Sequence, residues 1–216
     1  MIPIITIDGP ASSGKGTIAR KIAEKLGFHY LESGAIYRAL GLWVLKNAAG
    51  NELSNDELVG LIDEMNLSFK NGNVYLNEQD VTNELRNEQV GMLASKYSAI
   101  PEVRQKLLQF QRDFAKLPGL ITDGRDMGSV VFPNANLKVF LTASAEKRAQ
   151  RRFEQLQGTD KSVKIYDVLQ DILKRDEADS KRETAPLTYD ASFKLLDNSN
   201  LSIEETIGQV LDWFKK

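Results

Sequence analysis

The sequence predicts an α/β fold in which a five-stranded parallel sheet is covered by helices on both faces. Three observations lead there. Short apolar runs of strand character alternate with helical segments along most of the chain. The first run, Ile2-Pro3-Ile4-Ile5-Thr6-Ile7-Asp8, feeds straight into the Gly-rich stretch Gly9-Pro10-Ala11-Ser12-Ser13-Gly14-Lys15-Gly16-Thr17. Helical periodicity then begins at once, with Ile18, Ile22, Ala23 and Leu26 on one side. Strands of a parallel sheet are buried on both faces, so they read as apolar runs joined by helical crossovers.

The elements justify themselves in order. After the first helix, 28–31 is a short strand, and 34–46 is a helix carrying Ile36, Tyr37, Leu40, Trp43 and Val44 on one side. Further strands are expected at 120–123, 137–141 and Phe193–Asp197. Ser202 with Glu205 forms a capping box for the last helix, whose stripe is Ile203, Ile207, Val210, Leu211 and Phe214. One segment breaks the alternation. Leu67-Ser68-Phe69-Lys70, Asn71-Gly72-Asn73 and Val74-Tyr75-Leu76 read as a hairpin on an Asn-Gly turn. A short strand near Val81 extends it, and helices are expected at 84–97 and 101–116. The reading therefore divides the chain into a core, 1–62 with 99–216, and an insertion, 63–98.

Composition narrows the function classes. The 216 residues hold one full-sized core with room for an insertion. Twenty-eight basic against 30 acidic side chains give a net charge of −2, with no long basic run, so nucleic acid is not expected as a partner. The absence of cysteine excludes a disulfide scaffold and any cysteine metal site. The one histidine, His29, sits in a short apolar segment and reads as structural. Met1 leads directly into the first strand, and no apolar run approaches the ~20 residues that span a bilayer. A soluble, cytoplasmic monomer without a membrane partner is the expectation.

The stretch from Gly9 to Thr17 carries the sharpest chemistry. Successive backbone N–H groups of such a turn wrap an oligophosphate, and the helix that follows offers its positive end. Gly9, Pro10, Ala11, Ser12, Ser13, Gly14, Lys15, Gly16 and Thr17 are the expected phosphate-binding residues, with Lys15 reaching the β- and γ-phosphates. Where the usual pattern has Ser or Thr directly after the lysine, this chain has Gly16 and then Thr17. Mg²⁺ must therefore be met by Thr17 or through water.

Phosphoryl transfer asks for positive charge, Mg²⁺ and few nucleophiles. Leu120-Ile121-Thr122-Asp123-Gly124-Arg125-Asp126 begins as a buried strand and ends in charge at the ligand edge of the sheet. Asp123 is either a carboxylate for Mg²⁺ or a turn residue at the strand end. Arg148, Arg151 and Arg152 share one helical face at i, i+3, i+4. Arg175, Asp179 and Arg182 stand at i, i+4, i+7, with Asp176 alongside. Spacing alone favours solvent-exposed ion pairs for both clusters. The polar Gln157-Gly158-Thr159-Asp160-Lys161 between them would make a lid, about 148–165, that closes over a triphosphate. Ser33 reads as a helix cap and Arg38 as a group within reach of an acceptor phosphate.

Taken together, Gly-Pro-Ala-Ser-Ser-Gly-Lys-Gly-Thr (9–17), Ser-Gly-Ala-Ile-Tyr-Arg (33–38), Asp-Gly-Arg-Asp-Met-Gly-Ser-Val-Val-Phe-Pro (123–133) and Arg-Asp-Glu-Ala-Asp-Ser-Lys-Arg (175–182) resemble the bacterial cytidylate kinases over essentially the whole chain. The resemblance implies the P-loop nucleoside monophosphate kinase fold, with a β-hairpin and helical insertion on the monophosphate side and a helical lid. It implies ATP-dependent phosphorylation of CMP or dCMP with Mg²⁺. It also implies roles: Ser33, Arg104 and Asp126 read cytosine, Ser95, Arg175 and Asp179 hold the sugar, and Arg38, Arg125 and Arg182 hold the acceptor phosphate. Lys15, Arg125, Arg148, Arg152 and Arg182 are the expected catalytic set, and Thr17 and Asp123 the metal side. Kinases for UMP, AMP or shikimate, and a non-catalytic nucleotide switch, are the competing classes. The Asn-Lys-x-Asp motif of a guanine-reading switch is absent from the sequence.

Overall fold

A computed structural model of the chain describes residues 2–48, 52–70, 72–158 and 162–215. In chain order these form β1 (Ile4–Asp8), α1 (Lys15–Leu26), β2 (His29–Glu32), α2 (Ser33–Asn47), α3 (Asn55–Asp63), β3 (Leu67–Lys70), β4 (Asn73–Leu76), β5 (Gln79–Asp80), α4 (Glu88–Ser98), α5 (Pro101–Arg112), β6 (Leu120–Gly124), β7 (Leu137–Thr142), α6 (Ala145–Gln157), α7 (Ile165–Lys181), β8 (Phe193–Asp197) and α8 (Ile203–Phe214). Two compact units divide the chain: Met1–Leu31 with Phe114–Lys216, and Glu32–Asp113.

The first unit is built on the expected five-stranded all-parallel sheet, whose strands lie in the order β2-β6-β1-β7-β8. Its central strand β1 pairs Ile5 with Ile121 on one side and with Leu137 on the other. Alternation along β1 sorts its side chains by face. Ile5 and Ile7 pack with Ile18, Ala19, Ile22 and Ala23 of α1 and with Ile207 and Val210 of α8 in one core cluster. Burying each large aliphatic side chain there contributes about 1.5–3 kcal/mol. Thr6 and Asp8 face the opposite way. A single π-helical turn, Met127–Val131, meets that side after β6, a feature the sequence pattern did not announce. The cap of α8 is the expected reciprocal box between Ser202 and Glu205.

The second unit holds a three-stranded antiparallel sheet, β3-β4-β5, beside four helices. Residues 63–98, expected as an insertion, fall within its bounds. β3 and β4 pair in the hairpin register Leu67 with Leu76 through Lys70 with Asn73. Of the expected turn, Asn71 lies outside the described residues, and Gly72 takes a left-handed φ of 81°. The short strand expected near Val81 is Gln79–Asp80, and Val81 itself donates its N–H to Val74 O at 2.9 Å. Two boundaries differ from expectation. The helix expected at 84–97 is a 3-10 turn, Glu84–Arg86, followed by α4, because the Asn87 side chain caps a fresh start at Gln89 N. The helix expected at 101–116 stops at Arg112, with Asp113 as its C-cap. α3 was unread, although Ser54 and Glu57 form a capping box for it. Among the described residues no helix is long and apolar enough to cross a membrane.

Candidate active site

The Gly-rich loop runs from the end of β1 to the start of α1, at the carboxyl edge of the sheet. Gly9 cannot carry a side chain: a Cβ there would lie 2.0 Å from the Leu141 carbonyl oxygen. Gly14 caps α1 in the left-handed region at φ 89°. Lys15 is buried and donates from Nζ to Pro10 O at 3.0 Å, so it folds back over its own loop. Burial pushes its ammonium down to about 7; Arg125 and then Arg175 push the same way, while Asp123 and Asp179 oppose them. The buried Ser13 hydroxyl has no hydrogen-bond partner among the described residues. Thr17 is exposed on the first turn of α1.

Two arginines of α6 reach this loop. Arg148, 5% exposed, donates from Nε to Ala143 O at 3.0 Å and from Nη1 to Ala11 O at 3.1 Å. It also forks onto Asp176 of α7 through Nη1 at 3.0 Å and Nη2 at 2.5 Å. Arg151 donates from Nη1 to Ser13 O at 3.1 Å and to Asn198 Oδ1 at 3.0 Å, and from Nη2 to Asn198 O at 2.9 Å. A face of solvent-exposed i, i+4 pairs is therefore ruled out for these two: the partners come from other elements. Arg152 is half-buried on the same helix. In the connection to α7, Thr159, Asp160 and Lys161 lie outside the described residues.

The end of β6 gathers charge beside the loop. Asp123 is buried and accepts from Tyr30 OH at 2.7 Å. A Cβ on Gly16 would lie 3.9 Å from both Asp123 carboxylate oxygens, which puts this carboxylate against the first turn of α1. Arg125 donates from Nε to Asp179 Oδ2 at 2.6 Å. Burial raises the Asp179 carboxyl, but the charge and hydrogen bond of Arg125, with the charges of Arg182 and Arg175, outweigh it and hold the group below the ordinary range. The carboxylate between two guanidiniums thus also takes a direct partner in Arg125, the residue after β6. Arg182 ends α7 and donates from Nε to Ala185 O at 2.7 Å. Asp126 is buried at the start of the π-helical turn.

Asp8 is an unforeseen member. It is fully buried and accepts from Met127 N at 2.9 Å and Gly128 N at 2.7 Å. Burial raises its carboxyl to about 7; the two N–H bonds pull down, and Asp126 and Asp123 push up. The signal in the sequence was a carboxylate closing an otherwise apolar strand. Tyr30 and Asn198 were also unread, because each acts across the fold on a residue far away in the chain.

The second unit carries the other expected residues. Ser33 is the first residue of α2 and not its cap, which is Glu32; the Ser33 hydroxyl instead donates to Gln111 Oε1 at 3.0 Å in a buried setting. The helix starts one residue earlier than a Ser cap requires, which frees that hydroxyl for a tertiary contact. Arg104 is buried, donates to Ser98 O at 2.9 Å and stacks over the Tyr37 ring at 5.6 Å. Arg38 donates from Nη1 to Leu85 O at 2.9 Å, close to Gly91, where a Cβ would meet Nη1 at 3.2 Å. Ser95 lies half-buried on α4, and its carbonyl accepts from Ser98 Oγ at 3.0 Å.

The family model described as cytidylate kinase matches residues 5–216. The chain belongs to the cytidylate kinase family. A cytidylate kinase of Polynucleobacter asymbioticus is 49% identical over 99% of this chain and 97% of its own length. One of Burkholderia cenocepacia is 50% identical over 99% and 93%. A crystal structure of an uncharacterised protein from Eubacterium ventriosum matches 100% of this chain and 99% of its own at TM-score 0.57 and 14% identity, a likeness of fold alone. As a member of this family the chain is an ATP-dependent phosphotransferase acting on a nucleoside monophosphate. The donor set fits ATP: a glycine-led loop, the N-terminal end of α1, a buried lysine and the Ser13 hydroxyl, which has no partner among the described residues.

Proposed function

We propose that the protein transfers the γ-phosphoryl group of ATP to CMP or dCMP, giving ADP and CDP or dCDP. One observation carries the reading: in a cytidylate kinase chain, the Lys15 loop and the Arg125–Asp179 pair occupy the same unit, close enough for Arg125 and Asp179 both to act on the Lys15 charge. The CMP phosphate is largely dianionic at neutral pH, its second pKa being about 6, so no dedicated base is required. Its oxygen bonds to the γ-phosphorus as the bond to the β–γ bridging oxygen breaks, and ADP leaves. Lys15, Arg125, Arg182 and the lid-side Arg152 stabilise the charge spread over the transferring group. Arg148, spent on Asp176 and two backbone carbonyls, serves this set as a brace.

Asp126, Ser33 and Arg104 read cytosine. Its amino group donates to Asp126 or Ser33, and its carbonyl and ring nitrogen accept from Arg104. Uracil turns a carbonyl where the amino group was and meets repulsion from Asp126. Ser95, Arg175 and Asp179 hold the sugar, and Arg38, Arg125 and Arg182 the acceptor phosphate. Thr17 and Asp123 would hold Mg²⁺, and hard oxygen donors at the first turn of α1 suit it. The cation supplies charge neutralisation between the β- and γ-phosphates. The 63–98 insertion belongs to CMP handling, and the protein works as a cytoplasmic monomer. The test is direct. Purified protein with ATP, Mg²⁺ and CMP should yield ADP and CDP in equal amounts. ADP release that ignores CMP would point to a nucleotide switch instead.

A further inference from the structure

We propose that Arg151 and Asn198 are positioning residues for the phosphate donor, acting by clamping the carbonyl of Ser13. This deepens the reading of 9–17 as the ATP phosphate site and rests on it. Ser13 O accepts from Arg151 Nη1 at 3.1 Å and from Asn198 Nδ2 at 3.0 Å. Arg151 and Asn198 also bind each other, through Asn198 Oδ1 and the Asn198 carbonyl. Asn198 is 4% exposed, and its backbone N–H is fixed to Thr142 O at 2.9 Å, so the clamp is anchored in the sheet.

A trans peptide is planar, with its C=O and N–H on opposite sides. Pulling Ser13 O toward α6 and the start of the β8–α8 connection therefore turns the Gly14 N–H the other way. Two positions earlier the same happens: Arg148 holds Ala11 O, which turns the Ser12 N–H away from α6. Holding these two carbonyls on the α6 side turns the Ser12 and Gly14 N–H groups to the other side, where they can join the loop's N–H groups that bind anions. Gly14 sits in the left-handed region and would otherwise be the freest peptide of the loop. The arginine of α6 thus contributes geometry to ATP binding, and its charge is incidental.

Inorganic tripolyphosphate as an inhibitor competitive with ATP isolates the phosphate site from the adenosine. Arg151→Lys keeps the charge but loses the fork that spans Ser13 and Asn198. Asn198→Ala removes the other bond to Ser13 and changes no charge. Both variants should weaken tripolyphosphate inhibition and raise the KM for ATP by about tenfold, the size of one charge-assisted or buried hydrogen bond, with the KM for CMP within about twofold of the parent. The double variant should lose less than the product of the single losses, because both act on one carbonyl. Wild-type inhibition in Arg151→Lys, or losses that multiply fully, would overturn the clamp. Arg151 is partly exposed, so its variant carries the test even if the buried Asn198→Ala does not fold. Wild-type protein that tripolyphosphate fails to inhibit would instead contradict the ATP-site reading itself.

Discussion

Arg125 and Asp179 meet across 54 positions of sequence, Nε to Oδ2 at 2.6 Å, with 17% and 10% of their side chains exposed. The pair ties the end of β6 to the last turns of α7 and leaves the Arg125 Nη groups, one of which touches Gly124 O at 3.3 Å, near the strand end. Asp179→Asn removes the charge that orders Arg125 and offsets Arg182. The KM for CMP should rise by about tenfold or more, and stability should fall by about 1–3 kcal/mol, discounted for residual exposure. Steady-state kinetics with CMP varied at saturating ATP, beside a denaturant titration, checks both. Asp179 is held below the ordinary carboxylate range, so its stabilising contribution is present at neutral pH and lost on acidification below about 3.8.

Lys15→Ala should lower kcat by about 10²–10³ while the thermal midpoint stays close to the parent's. A second consequence follows from its lowered pKa of about 7. At pH 8 the free protein holds Lys15 largely neutral, and a bound triphosphate restores the charge. ATP binding should therefore take up a proton at pH 8 and much less at pH 6. Calorimetry in buffers of different ionisation enthalpy measures this directly, and Lys15→Ala should abolish the uptake.

Asp8→Asn keeps one acceptor oxygen but turns an amide donor toward the Met127 or Gly128 N–H. The mismatch should cost about 1–3 kcal/mol at neutral pH. The pH dependence has the opposite sign to that of Asp179. The folded pKa is raised to about 7 from 3.8, so the carboxyl's favourable contribution is full below about 3.8 and is lost as pH rises to about 7. Urea unfolding between pH 4 and 8 should show this decline in the parent and a flatter profile in Asp8→Asn.

The strands of the parallel sheet, the phosphate loop and the hairpin were legible because each rests on local pattern: apolar runs, glycine spacing, an Asn-Gly turn. The family motifs named the arginines and aspartates around Arg125 and Asp179. What stayed hidden depends on contacts between distant residues. Arg148 looked like half of an exposed i, i+4 pair, yet its partners, Asp176 and Ala11, come from α7 and the phosphate loop. Ser33 had the composition of a cap but bonds Gln111, 78 positions away. Asp8 and Asn198 show no motif, since one serves two amides across the sheet and the other a single carbonyl 185 positions earlier. α3 was missed for a different reason: its capping box was present, but its apolar stripe is short.

Asp126→Ala should reduce kcat/KM for CMP and narrow its advantage over UMP by about ten- to a hundredfold, the worth of one charged hydrogen bond at about 1.5–3 kcal/mol. The carboxylate is buried, so a site built around it discriminates by leaving groups unpaired. If Asp126 only shapes the π-helical turn, both substrates should suffer in parallel.

The most direct test of the account is an acceptor panel on the unmodified protein. ATP and Mg²⁺ are held saturating, and kcat/KM is measured for CMP, dCMP, UMP, AMP and shikimate in turn. CMP and dCMP should lead, with UMP behind by at least the tenfold that one charged hydrogen bond supplies and AMP and shikimate near background. Equal turnover of UMP and CMP, or a preference for AMP or shikimate, would contradict it.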